Sequence, residues 1–233
     1  MTGSAAADAA DPLCAAIRSE LRRQAEPERA PGMQAYMRSA MPFLGVRVPE
    51  VRRITRAAVR ERVPVDVGDL LATATGLWRT AGYREERYAA TELLGLRVAR
   101  GRPEALPLCA EMIVTGAWWD HVDAVAHLVG AMLRAHPPAL EPVIRGWSMD
   151  ADRWLRRSAI ICQLDARTDT DVELLTAVIE PNLPDPDFFI RKAIGWALRQ
   201  YARTNPTWVL DFVATRRAEL SALSYKEAVK HLT

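Results

Sequence analysis

The chain has 233 residues, of which 49% are hydrophobic, and its formal net charge is +2. This hydrophobic content excludes a disordered chain and supplies a core for one large or two small domains. The net charge is too small to indicate nucleic-acid binding by itself. No run of the sequence approaches the roughly 20 apolar residues of a membrane span.

The N-terminus and the cysteines indicate where the protein resides. Residues 1–11 are small and alanine-rich and lack the basic and apolar regions of a signal peptide, so we predict a disordered tail there and one domain over residues 12–233. The three cysteines are odd in number and far apart, which favours free thiols over a disulfide or zinc framework. Both features predict a cytoplasmic protein.

Apolar residues recur at helical spacing along the whole chain. The first predicted helices cover residues 13–25, a segment after Pro31 that includes Met41, a basic segment from Val48 to Val59, and residues 68–80. From Tyr83 onward helices follow at short intervals, separated by glycine and proline. Alternating patterns with hairpin turns are absent from the sequence, so we predict an all-α protein.

An internal repeat indicates how these helices are arranged. Trp119, Trp154 and Phe189 are separated by 35 residues, and each opens a predicted helix. The same step relates Arg87, Val122, Arg157 and Lys192 on the first helices, and Pro107 and Pro142 on the second. The predicted helix–turn–helix units cover residues 83–115, 117–147, 152–180 and 187–217. This period predicts a right-handed α-solenoid of stacked antiparallel helix pairs, of the HEAT-like kind, with one concave face.

Residues 118–123 contain two adjacent tryptophans and two aspartates. Trp119 and Asp123 are one helical turn apart and share a face, whereas Trp118 points about 100° away, and we predict that Trp118 packs in the core. The repeat predicts that Trp119, Trp154 and Phe189 form a row across the stack. Core packing alone would also explain Trp154 and Phe189.

Asp123 is an acidic residue at a repeat position that is otherwise small. It aligns with Ser158 and Ala193 in the next two units. Because a buried, unpaired carboxylate is costly, we expect Asp123 either to be paired or to face a hydrated groove.

Basic residues recur on the first helices of the last two units. Arg157 and Lys192 occupy matched positions, which favours a continuous basic strip that fits a phosphate backbone over an ordinary solvated surface. An acidic, aromatic centre within such a strip suits a reaction in which positive charge develops. Cleavage of an N-glycosidic bond is such a reaction, because the sugar becomes oxocarbenium-like. The members of the strip are Arg156, Arg157, Arg191, Lys192, Arg199 and Arg203.

Several segments carry a family resemblance. The chain resembles the AlkD-type DNA alkylation repair proteins, which are HEAT-like-repeat DNA glycosylases that remove cationic N3- and N7-alkylated purines. The resemblance extends from about Leu13 to the C-terminus, and the tryptophan–aspartate and Gly195-Trp196 segments are its most specific parts. The matching segments are residues 37–38, 43–46, 49–53, 118–123, 154–160, 188–199, 201–206 and 223–228.

The resemblance implies roles for individual residues. It implies that Asp123 is the catalytic aspartate, that Trp119 and Trp196 are groove tryptophans, and that Arg157 is the groove arginine. The implied partner is double-stranded DNA with alkylated bases, bound by a monomer without cofactor, metal or membrane, in the cytoplasm and at the bacterial nucleoid. Asp165 departs from the family pattern, because relatives often have a basic residue there. The further expected DNA contacts are Tyr36, Arg47, Trp154, Arg156, Arg191, Lys192, Arg199 and Arg203.

Two alternatives to an enzyme stay open at this point. One is a HEAT-like module that recognises DNA structure without chemistry, and the other is a protein-interaction solenoid, a common use of such repeats.

Overall fold

The computed structural model describes residues 11–64 and 66–232, and all regular elements in this part of the chain are helical. The predicted all-α class is therefore confirmed. The described residues up to Arg100 form one compact unit, and those from Gly101 onward form a second. The predicted N-terminal tail lies outside the described residues except for Asp11, whose carboxylate caps the first helix by accepting from the backbone N–H groups of Leu13 and Cys14.

The first unit contains five helices within its described residues. Helix α2 is shorter than predicted, because Arg38 takes a left-handed backbone conformation with φ of 50° and Met41 lies beyond the helix. Helix α1 packs against α3, α4 and α5. The helices are α1 (Pro12–Arg23), α2 (Ala30–Met37), α3 (Val48–Glu61), α4 (Val67–Arg79) and α5 (Arg84–Leu94).

Two buried carboxylates of α5 hold the first unit together. Glu85 accepts hydrogen bonds of 2.9–3.1 Å from the backbone N–H groups of Leu44, Gly45 and Val46, and burial raises the pKa of its carboxyl against the opposing effect of these donors. Glu86 accepts a 3.0 Å hydrogen bond from the guanidinium of the buried Arg18. Both interactions tie α5 to segments that precede it in sequence by about forty residues or more.

The second unit contains eight α-helices within its described residues, joined by short turns. Helices α7 and α8 are connected through the single residue His136, so they lie as neighbours. The helices are α6 (Leu106–Gly116), α7 (Trp119–Ala135), α8 (Pro137–Ser148), α9 (Arg153–Ile161), α10 (Val172–Ile179), α11 (Phe188–Ala202), α12 (Pro206–Thr215) and α13 (Ala222–Ala228).

The helix pairs of the second unit follow the predicted repeat. Helix α9 contacts α7 on one side and α11 on the other, while α8 contacts α10, as expected when successive pairs are stacked. The predicted unit over residues 83–115 is different, because α5 belongs to the first compact unit and α6 to the second. The right-handed sense and the concave face stay predictions.

The loops before α9 and α11 show the repeat in detail. Asp152 and Asp187 cap these two helices, and their own backbone N–H groups donate 2.7 Å hydrogen bonds to Asp150 and Asp185, respectively. Helix α7 starts differently: Trp118 stands at its N-cap without a side-chain cap bond, and the preceding Ala117 has φ of 41°. The chain therefore enters α7 along a different path from the one it takes into α9 and α11.

The three cysteines are free and buried, in agreement with the prediction of free thiols. Burial raises the pKa of the Cys109 and Cys162 thiols to about 12. Their thiols are therefore protonated and act as small apolar groups in the core.

Candidate functional site

The centre of the candidate site is an ion pair between Asp123 on α7 and Arg157 on α9. The guanidinium Nε donates to Oδ1 of Asp123 at 2.7 Å, and Nη2 donates to Oδ2 at 2.8 Å. The remaining nitrogen, Nη1, donates to the backbone carbonyl of Phe189 on α11 at 2.7 Å. Arg157 thus connects three successive first helices through one planar group.

The burial of this pair answers the question that the sequence raised about Asp123. Its side chain is 17% exposed and that of Arg157 is 6% exposed, so the carboxylate is paired and also reachable from solvent. An ionised carboxylate has about four acceptor positions, and Arg157 uses two of them. The Asp123 carboxylate can therefore present its remaining acceptor positions to a ligand in a fixed orientation.

An aromatic cluster lies at the starts of the same helices. The ring of Trp118 lies 6.1 Å from that of Trp154 and 5.4 Å from that of Phe189, and the Trp154 and Phe189 rings are 4.9 Å apart. Trp118 therefore packs inward as predicted, and the aromatic row includes it, one residue earlier than the repeat predicts. Trp154 is buried in this cluster, which leaves little of its side chain for the predicted DNA contact.

The two predicted groove tryptophans are half-buried. One lies on the first helix before α9 in the repeat and the other on the first helix after it. Trp119 is the first residue of α7, one turn before Asp123 and on the same face. Trp196 lies on α11, where Lys192 is one turn before it and Arg199 one turn after it. Both helices pack on α9, which carries Arg157.

The predicted basic strip divides into two groups. Arg156 donates to the carbonyls of Asp150 and Ala151 and pairs with Asp185 at 2.9 Å, so it holds the loops before α9 and α11 together. Arg191 makes the corresponding bond to the carbonyl of Asp185 at 3.0 Å. These two arginines are therefore part of the loop structure.

The second group lies along one face of α11. Lys192 pairs with Glu227 on α13 at 2.9 Å, and Arg199 pairs with the other oxygen of the same carboxylate at 2.5 Å. Arg203, just after the end of α11, is exposed and forms no ion pair within the described part of the chain. Lys192, Arg199 and Arg203 thus share one face of α11, and their contact with a phosphate backbone stays a prediction.

The expected contacts in the first unit are at the surface. Tyr36 on α2 is 73% exposed, and Arg47, which precedes α3, is exposed as well.

Sequence reasoning missed two features of this region. The matched aspartates at 150 and 185, and at 152 and 187, keep the 35-residue step and could have been read as repeated caps. Glu227 carried no such signal, because it lies outside the repeats. The atypical Asp165 accepts a 2.8 Å hydrogen bond from His127, which lies one turn after Asp123 on α7.

Among the described residues, no three His, Cys, Asp or Glu side chains are grouped so that they could hold a metal ion. In the same residues, no helix combines the length and apolar character needed to cross a membrane.

Comparisons with known proteins give a consistent result. The model of a family described as "DNA alkylation repair enzyme" matches residues 17–232. A solved structure titled "Predicted DNA alkylation repair enzyme from Enterococcus faecalis" is 30% identical to this chain, and the match covers 90% of this chain and 97% of that one with a TM-score of 0.78. None of the curated proteins matches the chain. The similarity includes all three helices that Arg157 connects.

Proposed function

Because the chain belongs to the DNA alkylation repair enzyme family, we propose that it is a monofunctional DNA glycosylase that acts on duplex DNA. Its substrates are cationic N3- and N7-alkylated purines such as 3-methyladenine and 7-methylguanine. The observation that carries this proposal is the Asp123–Arg157 pair, in which a carboxylate is fixed in place by two hydrogen bonds and yet remains accessible.

The proposed reaction needs little more than such a carboxylate. The bond between C1′ of the deoxyribose and the purine nitrogen breaks, and its electron pair leaves with the purine, which loses its positive charge. Asp123 stabilises the oxocarbenium-like sugar and orients a water molecule. The water oxygen bonds to C1′, its proton passes to solvent, and an abasic site remains. A general acid is unnecessary because the leaving group is already cationic.

The surrounding residues support binding in this proposal. Trp119 and Trp196 offer aromatic faces, which attract cations through their quadrupole. Arg157 keeps the Asp123 carboxylate in orientation, while Tyr36, Arg47, Lys192, Arg199 and Arg203 contact the DNA. The protein acts as a monomer without a cofactor, on chromosomal DNA in the cytoplasm.

The test is release of 7-methylguanine from methylated duplex DNA by the wild type and by Asp123→Asn. We expect release well above the spontaneous rate for the wild type and near that rate for the variant. Asp185→Asn is a matched control, because Asp185 is 16% exposed and pairs with the neighbouring Arg156, so the variant also removes one aspartate charge from an Asp–Arg pair. It should retain the wild-type rate.

Two outcomes would contradict the proposal. If the wild type releases no base above the spontaneous rate, the proposed glycosylase activity is excluded. An Asp123→Asn variant that is as active as the wild type removes Asp123 from the mechanism.

One observation favours a second candidate function, a DNA-binding module without chemistry. Both oxygens of Asp123 accept from Arg157, as in a pair whose role is to join helices. This alternative predicts DNA binding with a steep salt dependence and no base release. It also predicts that Asp123→Asn and Asp185→Asn have equal effects on DNA binding.

A further inference from the structure

Glu227 is the only acidic residue of the short helix α13, and it neutralises the two cations that flank Trp196. One of its oxygens pairs with Lys192 at 2.9 Å and the other with Arg199 at 2.5 Å. The hydrogen bond from Lys192, together with the charges of Lys192, Arg199 and Lys230, lowers the pKa of the Glu227 carboxyl. The carboxylate is therefore held ionised on the face of α11 that carries the predicted phosphate contacts.

The backbone of α13 is built to bring Glu227 to this place. A Cβ atom added to Gly195 would lie 2.5 Å from Cβ of Glu227 and 2.9 Å from the carbonyl oxygen of Ser224, so only glycine permits this approach. The hydroxyl of Ser224 in turn donates to the carbonyl of Arg191 at 2.9 Å. These contacts join α11 and α13 in addition to the ion pairs.

The exposure of the two cations distinguishes this cluster from the Asp123–Arg157 pair. The side chain of Lys192 is 37% exposed and that of Arg199 is 22% exposed, whereas that of Arg157 is 6% exposed. Glu227 itself is 15% exposed. Exposed ion pairs contribute little stability, while buried pairs are costly to break. Lys192 and Arg199 therefore reach solvent and can pair with another anion at a lower cost than Arg157 can.

We propose that Lys192 and Arg199 form a phosphate site that the carboxylate of Glu227 occupies in the free protein and that a DNA backbone phosphate takes over on binding. Two oxygens of one anion, a carboxylate or a phosphate, satisfy both cations in the same way. Glu227 is thus an internal competitor that weakens binding to DNA in general. This inference rests on the DNA binding included in the proposed function.

The experiment measures binding of a fluorescent, undamaged duplex at a series of KCl concentrations. Glu227→Gln removes the competing charge while the amide keeps the size of the side chain. We expect tighter binding at low salt. The slope of the logarithm of the binding constant against the logarithm of the KCl concentration should become more negative by about one for each side-chain cation that is freed from Glu227. Glu180→Gln is the matched control, because Glu180 pairs with the distant Arg216 at 2.9 Å and its loss adds the same charge elsewhere in the unit. It should leave the slope unchanged.

A second variant keeps the test decisive if Glu227→Gln is poorly folded. Arg199→Gln in the wild-type background should make the slope shallower by about one, because a phosphate contact is lost. If Arg199 serves only to hold α13, the slope stays the same. A folded Glu227→Gln variant that binds like the wild type, or more weakly, overturns the inference.

The base-release assay separates this inference from the proposed function. If the wild type binds DNA and releases 7-methylguanine but Glu227→Gln leaves binding unchanged, only the competitor role of Glu227 is lost. If the wild type does not bind the duplex even at low salt, both proposals fail.

Discussion

Arg157 shows how one residue can fix the geometry of the whole candidate site. Its guanidinium uses three nitrogens, two on Asp123 and one on the carbonyl of Phe189. The repeat in the sequence predicted the position of this arginine, and the family resemblance of the chain implied that it has a role in the groove. The pairing with Asp123 was one of two possibilities that the sequence left open, because spacing along the chain does not determine which side chains meet between helices.

We predict that Arg157→Lys lowers both stability and activity. Lysine keeps the charge but lacks the planar fork, so it cannot hold both oxygens of Asp123 and the carbonyl of Phe189 together. The free energy of unfolding should fall by about 1–3 kcal/mol, and the rate of 7-methylguanine release by roughly 10- to 100-fold, because the carboxylate loses its orientation. Urea unfolding and single-turnover base release measure these quantities.

The control for this variant is Arg153→Lys on the same helix. Arg153 pairs with Asp187 at 2.8 Å and is 46% exposed, so the exchange should change neither quantity appreciably. An Arg157→Lys variant with the wild-type rate would show that the orientation of Asp123 is immaterial.

Glu227 leads to a prediction about pH at the scale of a single titrating group. Its pKa in the folded protein lies below the ordinary glutamate value of about 4.3, chiefly because Lys192 donates to it. The stabilising contribution of a group with a lowered pKa is present above the unfolded-state value and is lost as pH falls through the folded-state value. The stability advantage of the wild type over Glu227→Gln should therefore be present at neutral pH and shrink as the pH falls below the ordinary glutamate pKa of about 4.3. Urea unfolding at neutral and at acidic pH checks this, and an advantage that stays constant or grows on acidification contradicts it.

At the scale of elements, local signals in the sequence located most helices of the described chain. Apolar residues at helical spacing predicted α1, α3 and α4 to within two residues. The prediction extended α2 too far, because a left-handed residue such as Arg38 ends a helix without leaving a pattern in composition. The aromatic row started one residue early because Ala117 and Trp118 enter α7 along a path that differs from the capped loops before α9 and α11.

Gly195 provides a prediction about the packing of two elements. An added Cβ would collide with Glu227 and Ser224 of α13, so Gly195→Ala should push α13 away from α11. We expect a loss of about 1–3 kcal/mol in the free energy of unfolding. Binding to duplex DNA should become tighter if α13 carries the competing carboxylate away with it.

The control is Gly146→Ala on α8, where an added Cβ would meet no atom within 4 Å. Alanine is favoured over glycine inside a helix, so this variant should be more stable than the wild type by about 0.5–1 kcal/mol. Equal effects of the two substitutions would show that the contact between α11 and α13 is loose.

At the scale of the whole molecule, charge is distributed in pairs. The net charge is only +2 although the chain has 31 basic residues, and many of these bind carboxylates within the protein. In the second unit, Asp152 and Asp187 cap helices, and Asp150 and Asp185 accept from the backbone of the same loops. These four aspartates are therefore committed to the loops. None of these four aspartates is available to protonate a leaving base.

This arrangement predicts that substrate choice follows the charge of the lesion. A cationic 7-methylguanine leaves as a neutral base, whereas a neutral base such as uracil or 8-oxoguanine would have to be protonated first. We expect release of 7-methylguanine and no release of either neutral base above the spontaneous rate, measured with duplexes of the same sequence. Binding of all three duplexes is measured in parallel, so that failure of the chemistry is distinguished from failure to bind. Efficient excision of a neutral base would require a proton donor near Asp123, and His127, one turn away and bonded to Asp165 at 2.8 Å, would then be the first residue to replace.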